Sequence, residues 1–262
     1  MDHYQTRIGE EEIVDRLCLV EAFPLGGGYA ERGFTVIRDA ISPADLERMQ
    51  QFADAAHSGG YYTSPEPATG ETRSVLGFDQ QFEWFTRSPY MTGIAGAILG
   101  SDWYIHQSRV NYKKGTKANG WKWHSDFETW HHCDGMPAMR CFTAMIPLQA
   151  NTPFNGPLVA IKGSHLKYVR CAGNGDVAPE GEFSEQTSGL PSDEAITALS
   201  DDGKNYRQII ANPGDLVIFD CNILHGSTAS LDPRGRANMF FVFNSVDNRL
   251  INPTRPEAMA RR

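Results

Sequence analysis

The chain has 262 residues, with 24 Lys or Arg against 32 Asp or Glu and a net charge of −8. This acidic balance argues against a general nucleic-acid binder, which needs a basic excess to neutralise phosphates. Hydrophobic residues make up 40% and charged residues 21%, an ordinary globular composition that excludes disorder and collagen and lets a chain of this length bury a full core.

In chain order, the first clear element is a helix opening at Ser42-Pro43-Ala44-Asp45. Ser42 can cap it, Pro43 suits the first turn, and Asp45 meets the positive helix end. Leu46, Met49, Phe52, Ala53 and Ala56 then recur at helical spacing on one face. A second helix starts at Ser88-Pro89, turns Ile94, Ile98 and Leu99 inward, and stops at Gly100. From Trp103 the texture changes to short strands, expected at 103–112, 121–126, 141–149, 157–161, 216–221 and 238–245. Turn signals separate them, such as Asp134-Gly135, Asn155-Gly156-Pro157 and Pro213-Gly214-Asp215. Residues 170–190, rich in Gly, Ser, Glu and Asn, read as a surface excursion or a lid. A short helix over 192–199, capped by Ser192, follows. Many short strands with such punctuation suggest a sandwich or barrel. No repeat and no linker divides the chain, so 1–262 reads as a single domain, with helical support over about 1–100 and a strand-rich core over about 101–250.

No run reaches the roughly 18 apolar residues of a membrane span. The opening MDHYQTRIGEEEIVDRL lacks the basic-then-apolar layout of a signal peptide. Cys18, Cys133, Cys141, Cys171 and Cys221 are scattered, without a CxxC pair. They fit reduced thiols in a cytoplasm.

His124-Ser125-Asp126 is the strongest chemical feature. On a strand, residues i and i+2 point to one side, so an imidazole and a carboxylate can meet at one point. His225, after the apolar run Leu216-Val217-Ile218-Phe219 and before Gly226, is the best third ligand. Two histidines and one carboxylate leave open positions at an octahedral metal, the facial triad of non-haem Fe(II) oxygenases. Zinc could use the same three ligands. His131, His132 and His165 read as surface or hydrogen-bonding histidines. Arg236, eleven residues after His225, could hold the far carboxylate of a chelated keto acid, with Arg234 as the competing choice. Along 103–112 one face is Ile105, Gln107, Arg109 and Asn111, unusually polar for a strand beside a core. Such groups need partners, and a bound polar ligand or solvent could supply them. Of Trp121, Trp123, Phe127 and Trp130 most read as core, while Trp130 could face a cationic substrate.

The run Trp123-His124-Ser125-Asp126-Phe127-Glu128-Thr129-Trp130-His131, followed by Asp134-Gly135-Met136-Pro137, resembles the signature of ectoine hydroxylases. These belong to the phytanoyl-CoA dioxygenase superfamily of Fe(II)/2-oxoglutarate enzymes. Gly163-Ser164-His165, Phe219-Asp220-Cys221-Asn222, His225-Gly226-Ser227 and Phe240 to Val246 agree, and the resemblance spans about 30 to 256. It implies a mainly β jelly roll (a cupin-like double-stranded β-helix) with flanking helices. It implies His124, Asp126 and His225 as iron ligands and Arg236 as the 2-oxoglutarate anchor, with Asn111 and Trp123 flanking that cosubstrate. Gln107, Thr129, Trp130 and Phe243 match positions lining the ectoine pocket, and Thr143 falls at another. Two departures are Cys133-Asp134, where the family carries an acidic pair, and the bulkier run Arg140-Cys141-Phe142-Thr143.

The expected reaction is hydroxylation of a small zwitterion, ectoine first, with Fe(II), 2-oxoglutarate and O2. An intact Asp126 argues against halogenation, which needs a vacant position for halide. The alternatives are the same chemistry on a free amino acid or natural-product intermediate, and a non-catalytic jelly-roll binding module. Neither nucleic acid nor membrane is an expected partner, and a homodimer is compatible with these features.

Overall fold

The computed structural model describes residues 5–8, 11–15, 28–65, 72–171 and 189–261. The excursion expected over 170–190 lies, from 172 to 188, outside the described residues.

Strands β1 (Gln5–Ile8) and β2 (Glu11–Asp15) pair antiparallel. The short helix α1 (Tyr29–Arg32) leads into β3 (Phe34–Ile37) and then α2 (Pro43–Ala55). β4 (Tyr62–Pro65) and β5 (Thr72–Leu76) precede α3 (Glu83–Thr86) and α4 (Pro89–Leu99). The long β6 (Trp103–Lys113) is followed by β7 (Trp121–His124) and α5 (Asp126–Asp134). Next come β8 (Cys141–Pro147), β9 (Leu158–Ile161), β10 (Lys167–Arg170) and α6 (Asp193–Ser200). The chain closes with β11 (Tyr206–Ile209), β12 (Leu216–Asp220), β13 (His225–Ser227) and β14 (Arg236–Ser245).

The helix starts follow from local chemistry. Ser42 Oγ accepts from Asp45 N, Ser88 Oγ from Met91 N, and Ser192 Oγ from Ala195 N, each at 3.2 Å. Each cap satisfies an otherwise unpaired donor of the first turn. Gly100, at φ 63°, ends α4 in a left-handed conformation that glycine adopts without strain.

The strands form a seven-stranded sheet, ordered β3-β12-β8-β14-β6-β5-β4, and a four-stranded sheet, ordered β11-β9-β13-β7. A small third sheet joins β1, β2 and β10. Every residue of β8, β12 and β14 is buried, because both faces of the large sheet are covered. On one face, Val110, Phe142, Ile146, Met239 and Phe241 pack against Met49 and Ala53 of α2 and Met91 and Ile94 of α4. On the other, Met145, Val217, Phe219 and Phe240 meet Leu158, Ala160 and Ile209 of the small sheet. At about 25 cal/mol per Å2 of apolar surface removed from water, these two layers dominate the favourable side of folding. Two antiparallel sheets wrapped in this way make the jelly roll, and the functional site opens between them. The N-terminal third supplies strands as well as helices, and β3, β4 and β5 all pair into the large sheet.

Candidate active site

β7 ends at His124 and Ser125 becomes the N-cap of α5, its Oγ accepting from Glu128 N at 3.4 Å. Asp126 therefore opens a helix. Strand alternation, the expected means of aligning His124 with Asp126, is replaced by a strand-to-helix turn with the same outcome. His225 begins β13 directly opposite His124, and the two rings lie 4.2 Å apart between centroids. The next residue is glycine for a steric reason: a Cβ on Gly226 would sit 2.8 Å from Trp121 O.

His124 Nε2 lies 3.8 Å from Asp126 Oδ1, and His225 Nε2 lies 3.9 Å from Asp126 Oδ2. One ligand atom from each residue falls within 4.8 Å of the others. The Nδ1 of His124 faces Lys122 O at 2.7 Å and that of His225 faces Ile223 O at 3.0 Å. A carbonyl only accepts, so each Nδ1 carries the proton and each Nε2 presents a lone pair. Burial, and then the neighbouring His225, holds His124 down to about 3. Burial likewise lowers His225. Burial pushes the Asp126 carboxyl up, but Arg109 foremost outweighs it and leaves it below its ordinary value. Asp126 Oδ2 is buried without a hydrogen-bond donor. Two neutral imidazoles and an anionic carboxylate with an unmet oxygen fit a divalent cation bound on one face.

His124, Asp126 and His225 face a cleft lined also by Arg109, Asn111, Arg236 and Asn238. Arg236 reaches it from the start of β14, only 7% exposed, with Nη2 donating to Gly156 O at 2.6 Å. Burial, and then Arg73, lowers its guanidinium to about 10, and its Nε has no partner. A buried cation with a spare donor fits the distal carboxylate of a dianion. Arg234 is excluded from this role: its side chain is 85% exposed and bound to Asp232.

The structure brings His124, Asp126, His225, Arg236, Asn111, Thr129 and Trp130 around one cleft. Trp130 is also core, packed edge-on against His106 at 5.0 Å and clustered with Met136, Cys141 and Val242. Four other residues proposed from sequence do not line it. Trp123 turns outward and stacks on Tyr206 at 5.3 Å, as strand alternation from the neighbouring His124 dictates, while the β7–β13 ladder slips between His225 and Ser227 and puts Trp121 on the cleft side. Gln107 is buried, donating to Met259 O at 3.0 Å and accepting from Arg109 Nη1 at 2.7 Å. It backs Arg109, whose Nη2 lies 3.6 Å from Asp126. Thr143 lies fully buried on β8, beside Met145, which does reach the cleft. Phe243 packs between Trp103 and Phe142 in the helix-side core, and Phe240 takes the cleft face of β14.

A bulge in β6 moves a further residue off the expected polar face. Val242 pairs with Gln107 and Phe243 with Ile105, so His106 is the extra residue and Ile105 leaves the polar face for the helix-side core. Sequence reasoning placed Arg109 on the polar face of β6, where a bound ligand could partner it, and assigned no role to Asn238, Ser227 or Arg255; all four line the cleft. Arg109 and Asn238 were legible by strand parity with Asn111 and Arg236. Arg255 carried no local signal; Asp134 holds it there, accepting from its Nε at 2.9 Å. His131 and His132 are exposed, and His165 Nε2 is 2.9 Å from Ala30 O, as their non-ligand reading expected.

A two-histidine, one-carboxylate face inside a jelly roll, with a buried arginine across the cleft, is the architecture of a non-haem metal-dependent oxygenase. Residues 29–236 match the family described as phytanoyl-CoA dioxygenase (PhyH), and the chain belongs to that family. It is 40% identical over 253 residues to the ectoine dioxygenase of Stutzerimonas stutzeri (strain A1501), covering 89% of this chain and 82% of that protein. It is 38% identical over 256 residues to the ectoine dioxygenase of Sphingopyxis alaskensis, covering 88% and 79%. The crystal structure of EctD from S. alaskensis with 2-oxoglutarate and 5-hydroxyectoine superposes with a TM-score of 0.82 at 31% identity, over 99% of this chain and 94% of that one. The same enzyme with bound Fe gives 0.81 at 32% identity, over 97% and 92%.

Proposed function

We propose that this protein is an Fe(II)/2-oxoglutarate-dependent dioxygenase that hydroxylates ectoine to 5-hydroxyectoine, releasing succinate and CO2. The observation that carries the reading is the His124, Asp126 and His225 face opposite the buried Arg236 in one cleft. Bound Fe(II) with 2-oxoglutarate would supply the oxidation, placing one oxygen atom of O2 in the substrate and the other in succinate. His124 and His225 would hold the metal through Nε2 and Asp126 through its carboxylate, three protein ligands of a metal that also takes the cosubstrate. Arg236 would hold the far carboxylate of 2-oxoglutarate, with Asn111, Trp121 and Ser227 along its flanks. Trp130 would present its ring to the delocalised cation of ectoine and Thr129 its hydroxyl.

Cys133 and Thr143, which belong to the two departures from the family pattern, are buried and absent from the cleft lining. Neither favours a free amino acid over ectoine. A single catalytic domain in a cytoplasm that keeps the buried Cys133, Cys141, Cys171 and Cys221 reduced belongs to the same reading. Among the described residues no helix is long and apolar enough to cross a membrane.

The test is aerobic incubation with Fe(II), 2-oxoglutarate and a panel of ectoine and free amino acids, read by mass spectrometry. Ectoine gaining one oxygen in step with succinate supports the reading. Succinate rising only with an amino acid would replace the substrate, and no 2-oxoglutarate-dependent product with any of them would remove the reaction.

A further inference from the structure

The turn Asp220-Cys221-Asn222-Ile223 contributes no group to the cleft, yet it touches every metal-site ligand segment. Asn222 is 1% exposed. Its Nδ2 donates to His165 O at 3.0 Å and Lys167 O at 2.8 Å, and its Oδ1 lies 3.3 Å from Ser125 Oγ. Ser125 is the residue between His124 and Asp126. On one side of Asn222, Cys221 O accepts from Phe127 N at 2.9 Å, tying down the first turn of α5. On the other side, Ile223 O is the acceptor that orients His225 through Nδ1 at 3.0 Å. The turn itself is fixed by Asp220 Oδ1, which accepts from Asn222 N at 2.8 Å, and by Ser164 Oγ, which accepts from Leu224 N at 2.9 Å.

We propose that Asn222 is a positioning residue for the metal site: its amide, clamped to the carbonyls of His165 and Lys167 and bonded to Ser125, sets the His124–Asp126 turn in register with His225. This rests on the proposed metal-binding function of the cleft. The chemistry favours an amide over any other side chain here. It must donate twice, to two carbonyls, while accepting from a hydroxyl, all within a buried space. A carboxylate would place a buried negative charge against two carbonyl oxygens, and alanine would leave those carbonyls and Ser125 without this partner. A ligand set spread over a strand end, a helix start and a second strand depends on such supports to hold its donors on one centre.

The test separates positioning from general stability by metal affinity. Asn248 is an equally buried asparagine, 1% exposed, that donates to Ala138 O at 2.7 Å and Asn244 Oδ1 at 2.9 Å. Neither partner lines the cleft. Metal-free wild type, Asn222→Ala and Asn248→Ala are titrated calorimetrically with Co(II) well below their melting temperatures, and the visible absorption of bound Co(II) is recorded. Asn222→Ala is expected to bind Co(II) roughly 10- to 100-fold more weakly, with an altered Co(II) spectrum. Asn248→Ala should lose Tm but keep wild-type affinity and spectrum. Ser125→Gly supplies a second arm that keeps a tolerated helix cap while removing the hydroxymethyl group and its contacts with Asn222 Oδ1, Cys221 O and Glu128 N. It should weaken Co(II) binding in the same direction, and it decides the matter alone if Asn222→Ala does not fold. Wild-type affinity and spectrum in Asn222→Ala, or in Ser125→Gly, would overturn the proposal while leaving the metal site standing. Failure of the wild type to bind Co(II) would overturn the metal site and this proposal together.

Discussion

Trp121 and His124 share the cleft face of one strand although they stand three residues apart. The slip in the ladder between Ser227 and His225 absorbs the extra residue, while Trp123, next to His124, points to the opposite face and stacks on Tyr206. Trp121 N also donates to Ser227 Oγ at 3.3 Å, joining two flanks of the proposed cosubstrate site. Trp121→Ala is therefore expected to raise the KM for 2-oxoglutarate, whereas Trp123→Ala leaves it unchanged. Steady-state kinetics on both variants check this, and an effect confined to Trp123 would reverse the assignment.

Arg236 and Arg234 make a second contrast. Replacing the buried Arg236 with Ala removes charge-assisted hydrogen bonds of about 1.5–3 kcal/mol, roughly a tenfold to hundredfold rise in KM for 2-oxoglutarate. Arg236→Lys should recover only part of this, because an ammonium lacks the planar fork. Arg234→Ala, at an exposed pair with Asp232, should change neither KM nor kcat.

Three histidines are buried in the neutral form. Burial, and then Arg255, lowers His106 from 6.5 to about 3, and His124 and His225 are also lowered. Below pH 6.5 the unfolded chain binds protons that the folded protein does not, so stability falls as pH drops from 6.5 toward about 3. Above 6.5 these groups add no pH dependence. Each steepens the fall by up to about 1.4 kcal/mol per pH unit. His106→Gln should flatten the dependence of Tm between pH 6.5 and 5 in the metal-free protein. An unchanged slope would mean that His106 is charged inside the fold.

Trp130 belongs to cleft and core at once, at 2% exposure. Trp130→Ala should cost about 3–5 kcal/mol of stability, which masks any effect on binding. Trp130→Phe keeps a ring on His106 and Cys141 while weakening the aromatic face offered to a cation. It should raise the ectoine KM with kcat for bound substrate little changed. Kinetics identical to wild type would remove Trp130 from substrate recognition.

The proposed metal ligands were legible because each sits in a short local signal, His124-Ser125-Asp126 and His225-Gly226. The caps at Ser42, Ser88 and Ser192 were legible for the same reason: side chain and partner are three residues apart. α5 was not, since its residues Phe127, Glu128, Thr129, Trp130 and Cys133 are buried on several sides and show no single apolar stripe. Ile105 left its expected face where the β6 ladder slips, whereas Trp123 fails on parity alone, standing next to His124. One extra residue at His106 and one in β7 invert every parity argument beyond them. Phe243 is different, because β14 carries no extra residue and parity from Arg236 already places it on the outer face with Phe241. Arg255 reached the cleft through Asp134, 121 residues away, a pairing that no local pattern announces.

Incubation with 18O2, Fe(II), unlabelled 2-oxoglutarate and ectoine, followed by mass spectrometry of both products, tests the central claim most directly. The account predicts one 18O in hydroxylated ectoine and one in succinate, in equal amounts, with both lost in His124→Ala. Hydroxylated ectoine without labelled succinate, or equal product from His124→Ala, would contradict it.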